Sequence, residues 1–120
     1  MDQVLALRPF VPAKDFELSK KFYQALGFAL TLEDAQIAIL KQGSFSFILQ
    51  NFKAVSENQM VQMLVRDADA WWQRHVDGAK LAADFGVKPP SAPTMQSWGL
   101  KVGFISDPSG VLWHVAEVPF

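Results

Sequence analysis

Cysteine is absent from this sequence. A chain without thiols forms no disulfides, binds no iron–sulfur cluster, holds no zinc through thiolates and has no cysteine nucleophile. Disulfides persist mainly in oxidising compartments. A chain that lacks cysteine fits the reducing cytoplasm, and we expect a cytoplasmic protein.

Two other features are missing, and they narrow the range of partners. Lys and Arg number 11 against 12 Asp and Glu, a net charge of −1, so there is no basic excess to neutralise phosphates and we expect no nucleic-acid partner. No apolar run approaches the roughly 20 residues that cross a bilayer. The start, "MDQVLALRPF", also lacks a basic region followed by a long apolar stretch. We expect neither membrane insertion nor export.

The sequence also lacks a glycine-rich phosphate loop, a nucleophile elbow and an HExxH helix. What it does contain is ordinary for a globular protein, because half of its 120 residues are hydrophobic and 19% are charged. This length suits a single domain with its own hydrophobic core.

The first half of the chain has the pattern of a strand, a helix and three more strands. The segment "VLALRPFVPAKD" favours an edge strand ending near Asp15, because proline donates no ladder hydrogen bond. Asp15 can cap a helix on which Leu18, Phe22 and Leu26 form one apolar stripe, and Gly27 is placed to end it. The runs "FALTLE", "AQIAILK" and "SFSFILQ" then predict three strands.

The second half begins the same pattern again. "QMVQMLV" predicts a strand, and a helix is predicted from Asp67 to Gly78. A Pro-rich stretch with room for a short helix at 81–85 follows, and then the strands "LKVGFIS" and "VLWHVAE", joined by the turn "DPSG". We therefore predict one α+β domain of two tandem βαβββ units, about residues 1–55 and 56–120.

Two stretches, "KDFELSKKFYQALGF" and "SWGLKVGFISDPSGVLWHVAE", resemble the vicinal oxygen chelate superfamily. Within it, the chain is most similar to the glyoxalase-like and bleomycin-resistance proteins, and the similarity covers essentially its whole length. The resemblance implies that the paired units form a curled, partly closed mixed sheet around a cavity, with the helices outside. It also implies a homodimer, as in many relatives.

The resemblance also bears on metal binding. Metal-using members place ligands at four strand positions, which correspond here to Arg8, Gln50, Met60 and His114. A catalytic divalent ion needs about three strong nitrogen or oxygen donors from the protein and one open position. A guanidinium repels a cation, and a thioether or an amide is a weak ligand. We therefore expect no bound metal and no other cofactor.

The tail "DPSGVLWHVAE" looks most like the bleomycin-resistance branch, which implies a metal-free protein that binds and sequesters a small organic molecule. Two alternatives stay open. One is a lyase, isomerase or dioxygenase-like enzyme, which uses either His114 or a metal held by unusual ligands. The other is an interacting subunit whose cavity is filled.

Strand alternation indicates which face His114 occupies. It lies with Leu112 and Ala116, while the more apolar opposite face should meet a helix, so we expect His114 to face the cavity. A purely structural His, hydrogen-bonded to a neighbouring strand, is the competing interpretation. Arg8 could either pair with an acid across a dimer interface or bind an anionic ligand. The predicted ligand-binding residues are Arg8, Phe10, Ile48, Gln50, Met60, Gln62, Trp98, Leu112 and His114.

Overall fold

A computed structural model describes residues 4–53 and 59–119, and its helices and strands fall into two consecutive groups. The first group consists of β1 (Phe10–Ala13), α1 (Phe16–Ala25), β2 (Ala29–Glu33), β3 (Ile37–Gln42) and β4 (Phe45–Asn51). The second consists of β5 (Met60–Val65), α2 (Ala68–His75), α3 (Gly78–Phe85), β6 (Ser91–Met95), β7 (Lys101–Ser106) and β8 (Leu112–Glu117).

Each group forms one four-stranded mixed sheet. The first sheet has the order β1-β4-β3-β2 and the second the order β5-β8-β7-β6. In both, the first strand pairs in parallel with the last, and the other neighbours are antiparallel. The predicted α+β fold with repeated topology is confirmed, although the two sheets do not close into one. The predicted boundary between the units, at residues 55 and 56, lies outside the described residues, and the division into units of one domain stays a prediction.

Helix α1 forms where the sequence predicts it. The Asp15 carboxylate accepts a hydrogen bond of 3.1 Å from the backbone N–H of Leu18, which caps the first turn. The chain leaves the helix at Gly27, whose φ of 92° suits glycine. Phe22 and Tyr23 are fully buried on the inner face, so this helix contributes directly to the core.

The helix predicted from Asp67 to Gly78 is confirmed as far as His75 and is wrong only in its last three residues. Asp67 caps α2 as expected, but Val76 has extended backbone angles and ends the helix after His75. Asp77 then caps a new helix, α3, and Gly78 is its first residue. A second capping aspartate directly after a β-branched residue explains the break. The prediction also missed β6, a Pro-containing edge strand within the stretch read as a loop.

Four aromatic rings join the two groups of elements. Tyr23, Phe28, Phe47 and Trp113 all contact one another, with ring centroids 4.9 to 5.8 Å apart. Such pairs contribute roughly 0.5–1.5 kcal/mol each beyond the area they bury. Because Trp113 comes from the second sheet and Phe47 from the first, the two sheets share this core on their helix-facing sides.

The side of each sheet opposite this core is called the open face here. Strand alternation assigns Ser46, Ile48 and Gln50 to the open face of the first sheet and Leu112 and His114 to that of the second. All five side chains are partly buried rather than enclosed. No helix in the described part of the chain is long and apolar enough to cross a membrane.

Candidate functional site

The open face of the first sheet is built by three adjacent strands. Phe10 on β1 lies beside Ile48 on β4, which in turn lies beside Ile39 on β3. Lys41 on β3 is the register partner of Ser46, and the Arg8 Nε donates a hydrogen bond of 2.9 Å to the Ser46 hydroxyl. Phe10, Ile48 and Ile39 therefore form an apolar strip, and the cations Arg8 and Lys41 lie at its border.

A pocket of about 760 Å³ lies between this face and the preceding residues 4–8. Its apolar walls include Leu32, Ile39 and Phe45 together with residues 4–7, and its polar groups include Arg8 and Lys41. Small-molecule sites typically have volumes of roughly 300–1,000 Å³. The pocket is thus large enough for an organic ligand.

On the second sheet, His114 is the centre of the open face. Its register partners are Gln62 on β5 and Phe104 on β7. The Phe104 and His114 rings meet edge to face, with centroids 4.9 Å apart. Met60 lies beside Leu112, and a smaller pocket of about 270 Å³ is lined by Leu112 and Phe104 among others.

The opposite face of β8 is enclosed, as the alternation predicts. Val111, Trp113 and Val115 are 2%, 5% and 0% exposed and belong to the core. The expectation that His114 points away from the helices is therefore confirmed. Whether its ring contacts a ligand stays a prediction.

Within one chain, the predicted site residues form two groups. Arg8, Phe10, Ile48 and Gln50 belong to the first sheet or the residues leading into it, whereas Met60, Gln62, Leu112 and His114 belong to the second. Arg8 lines the larger pocket and Leu112 the smaller. Neither of these two pockets is lined by residues of both groups.

Trp98 lies apart from both groups. It is 57% exposed in the turn between β6 and β7, where the Gly99 N–H donates to the Gln96 carbonyl at 3.0 Å. It lines neither of the pockets described above. Whether Trp98 contacts a ligand stays a prediction.

The residues at the four metal-ligand positions do not fit a divalent metal. Arg8 and Gln50 belong to the first half of the chain, and Met60 and His114 to the second sheet. Only the His114 imidazole is a strong ligand among these groups. Nowhere in residues 4–53 and 59–119 do three His, Asp or Glu side chains cluster so that they could hold a metal ion.

Two residues of these faces were missed by the sequence-based prediction. Lys41 alternates with Ile37 and Ile39, so the period-two pattern of "AQIAILK" would have assigned it to the open face. Phe104 could not be found in this way, because its position opposite His114 depends on the pairing register of β7 and β8.

No protein-family model matches the chain. A bleomycin resistance protein of Klebsiella pneumoniae is 25% identical over 114 residues, which cover 91% of this chain and 89% of that protein. The bleomycin-binding protein of Streptomyces verticillus, solved with copper(II)-bleomycin, superposes with a TM-score of 0.78 at 22% identity, covering 98% of this chain and 99% of that one. Lactoylglutathione lyase from Agrobacterium tumefaciens gives a TM-score of 0.66 at 18% identity, covering 97% and 96%. The predicted resemblance in fold is confirmed.

Proposed function

We propose that this chain, which has the fold of the glyoxalase and bleomycin-resistance proteins, is a metal-free protein that binds and sequesters a small organic molecule. The observation that carries this proposal is the pair of open sheet faces, which present apolar side chains around a few polar groups. Ligand sites of this kind use apolar walls for affinity and a small number of polar groups for orientation.

Two features favour binding over catalysis. Two of the relatives described above are named for binding bleomycin or resisting it, and the lactoylglutathione lyase superposes with a lower TM-score than the bleomycin-binding protein. The side chains at the metal-ligand positions also lack the donors that a metal-dependent lyase or dioxygenase needs. The enzyme alternative therefore depends on His114 alone, without a partner residue for proton transfer among the contacts described above.

Exposed apolar side chains favour a homodimer as the binding unit. Leu5 and Leu7 are 89% and 91% exposed, and Phe10 and Leu64 are 54% exposed each. Large apolar side chains exposed in this number favour an interface, and a closed two-fold interface is the commonest way to cover them. We propose that two copies bring open faces together to complete the cavity. A cytoplasmic location stays a prediction.

A ligand screen by thermal shift tests the binding proposal. A compound that binds the folded state raises the melting temperature by mass action. His114→Ala should keep the unliganded melting temperature and weaken binding by roughly 1–3 kcal/mol, the usual effect of removing a buried polar partner. Gln24→Ala, on the exposed side of α1, is the control and should bind like the wild type.

Two results would contradict the proposal. One is stoichiometric metal that a chelator removes together with a catalytic activity, which would favour the enzyme. The other is a His114→Ala variant that loses its melting transition while ligand affinity in the remaining folded protein is unchanged, which would make His114 structural.

A further inference from the structure

The ionisable side chains that line the two open-face pockets are all cationic. Arg8 and Lys41 line the larger pocket and Lys88 the smaller, and among the residues that the structure describes no Asp or Glu lines either. Strand alternation also assigns no acidic side chain to the open faces of the described strands. Since the chain as a whole has one more acid than base, this distribution reflects where the charges are placed and not the composition.

Arg8 and Lys41 are both neighbours of Ser46. The Arg8 Nε donates to the Ser46 hydroxyl at 2.9 Å, and Lys41 is the cross-strand partner of Ser46. Directly opposed strand residues have Cα atoms about 4.5–5.5 Å apart, so both cations can reach one small anionic group. The hydrogen bond to Ser46 uses only one of the five guanidinium N–H donors.

These two cations have no carboxylate partner in the part of the chain that the structure describes, unlike several other cations of the protein. Lys20 pairs with Glu17 and Glu33, Lys80 with Asp84, and Lys101 with Asp69. No ion pair joins Arg8 or Lys41 to an acid among residues 4–53 and 59–119. Their charge is therefore available to a ligand.

Apart from the hydroxyl side chains of Thr31, Ser44 and Ser46, the rest of the pocket lining is apolar, which makes a simple inorganic anion a poor occupant. Leu32 and Phe45 are 53% and 81% exposed, and Ile39 is the register partner of Leu32. A ligand that buries these side chains gains about 25 cal/mol for each Å² of apolar surface removed from water. A bare phosphate or sulfate offers no such surface.

We propose that the pocket on the open face of the first sheet binds an organic anion, a compound with a flat apolar body and one sulfonate, carboxylate or similar group held between Arg8 and Lys41. This inference rests on the proposed function and specifies its ligand class. The apolar body lies against Leu32, Ile39 and Phe45.

Two fluorescent probes with the same aromatic skeleton test the charge requirement. The anion 8-anilinonaphthalene-1-sulfonate differs from neutral N-phenyl-1-naphthylamine by its sulfonate. With wild-type protein we expect saturable binding of both probes. The anion should bind about tenfold more tightly at low salt, because Arg8 and Lys41 attract the sulfonate and exposed charge pairs are screened only as ionic strength rises. The preference should decline at about 0.5 M salt, where the Debye length is only a few Å.

Three substitutions test whether Arg8 and Lys41 cause the preference for the anionic probe. Arg8→Gln and Lys41→Gln should each weaken binding of the anion about fivefold, which corresponds to about 1 kcal/mol, and leave the neutral probe unchanged. Lys21→Gln removes the same charge from an exposed position on α1 that lines neither pocket. It should bind both probes like the wild type.

The outcomes separate this inference from the proposed function. Equal affinity for the two probes, insensitive to salt and to both variants, overturns the anion class and leaves small-molecule binding intact. Failure of folded wild-type protein to bind either probe, or any compound in the thermal-shift screen, overturns both. Binding that appears only when dilution produces monomers shows that a second copy fills the pocket and also overturns the inference. If a variant loses its near-ultraviolet dichroism, the salt dependence of the wild type decides alone.

Discussion

The Tyr23 hydroxyl on α1 donates a hydrogen bond of 2.6 Å to the Asp107 carboxylate in the turn before β8. Tyr23 is fully buried and Asp107 is 3% exposed. The other carboxylate oxygen accepts from the backbone N–H groups of Ser109 and Val111, and the Trp113 indole donates to the Tyr23 hydroxyl at 2.9 Å. The "DPSG" motif therefore ties the last hairpin to the first helix, a structural role.

Replacing Tyr23 by Phe should lower the free energy of unfolding by about 1–3 kcal/mol, because a buried carboxylate and a buried indole N–H each lose a partner. The ring remains, so its contact with Phe47 at 4.9 Å is kept. Urea unfolding followed by tryptophan fluorescence measures the change. Ser109→Ala, which removes an exposed hydrogen bond from the same turn, is the control and should cost less. A midpoint for Tyr23→Phe equal to that of the wild type would show that the network contributes no stability.

This network illustrates what the sequence could and could not predict. Pro108 and Gly110 made the turn recognisable, since both residues favour turn backbone conformations. The partner of Asp107 was not predictable, because Tyr23 is 84 residues away in the chain and no local pattern encodes their contact. Local elements such as α1 follow from capping and periodicity, whereas long-range polar contacts require the three-dimensional structure.

The site shows the same division. Alternation correctly assigned His114 to the face of β8 away from the helices. Alternation did not show that Arg8 precedes a strand of one sheet while His114 belongs to another. The relative placement of two sheets depends on packing between distant side chains. The boundary between α2 and α3 was predicted a few residues too late for a local reason, since both Asp67 and Asp77 can cap a helix and the sequence did not show that both do.

Gly103 on β7 has no room for a side chain. A Cβ atom at this position would overlap the six-membered ring of Trp72, which packs from α2 onto the strand. Gly103→Ala should therefore lower the free energy of unfolding by about 1–3 kcal/mol, the usual cost of overpacking a core. Denaturant unfolding measures it.

Gly78→Ala is the matched control for this substitution. Gly78 is the first residue of α3, and its added Cβ would meet the Pro90 ring at 3.4 Å. The change should be close to neutral or slightly stabilising, since alanine restricts the unfolded chain more than glycine does. Equal effects of the two substitutions would mean that the Trp72 contact does not constrain the strand.

His75 should make stability depend on pH. Its ring lies against Trp71, with centroids 4.8 Å apart, and over Gly27. Burial, and secondarily the neighbouring Arg74 charge, lower the pKa of His75 below its usual value of 6.5. Between the folded-state pKa and pH 6.5, the His75 imidazole is therefore more often protonated in the unfolded chain than in the folded chain. The contribution of His75 to the free energy of unfolding is therefore fully present above pH 6.5 and is lost as the pH falls through the folded-state pKa.

Unfolding free energies measured from pH 8 to pH 5 test this dependence. The difference between wild type and His75→Gln isolates the contribution of His75, because the other groups titrate in both proteins. We expect the wild type to lose more stability on acidification than His75→Gln. Parallel curves for the two proteins would show that His75 does not contribute, and His114→Gln serves as the matched control because it changes the other histidine.

Residues 4–7 should make the protein a dimer in solution. Val4, Leu5 and Leu7 are 81–91% exposed and line the larger pocket, so one copy alone leaves three apolar side chains in water beside a proposed ligand site. Light scattering at micromolar concentration should report the mass of two 13.4 kDa chains. The double substitution Leu5→Glu and Leu7→Glu should shift the mass toward that of one chain, because a charge buried in an apolar interface is costly. The control Gln24→Glu, on the exposed side of α1, should leave the mass unchanged. A wild-type monomer would leave the two open faces apart in solution, and any ligand would then have to bind within one pocket of one chain.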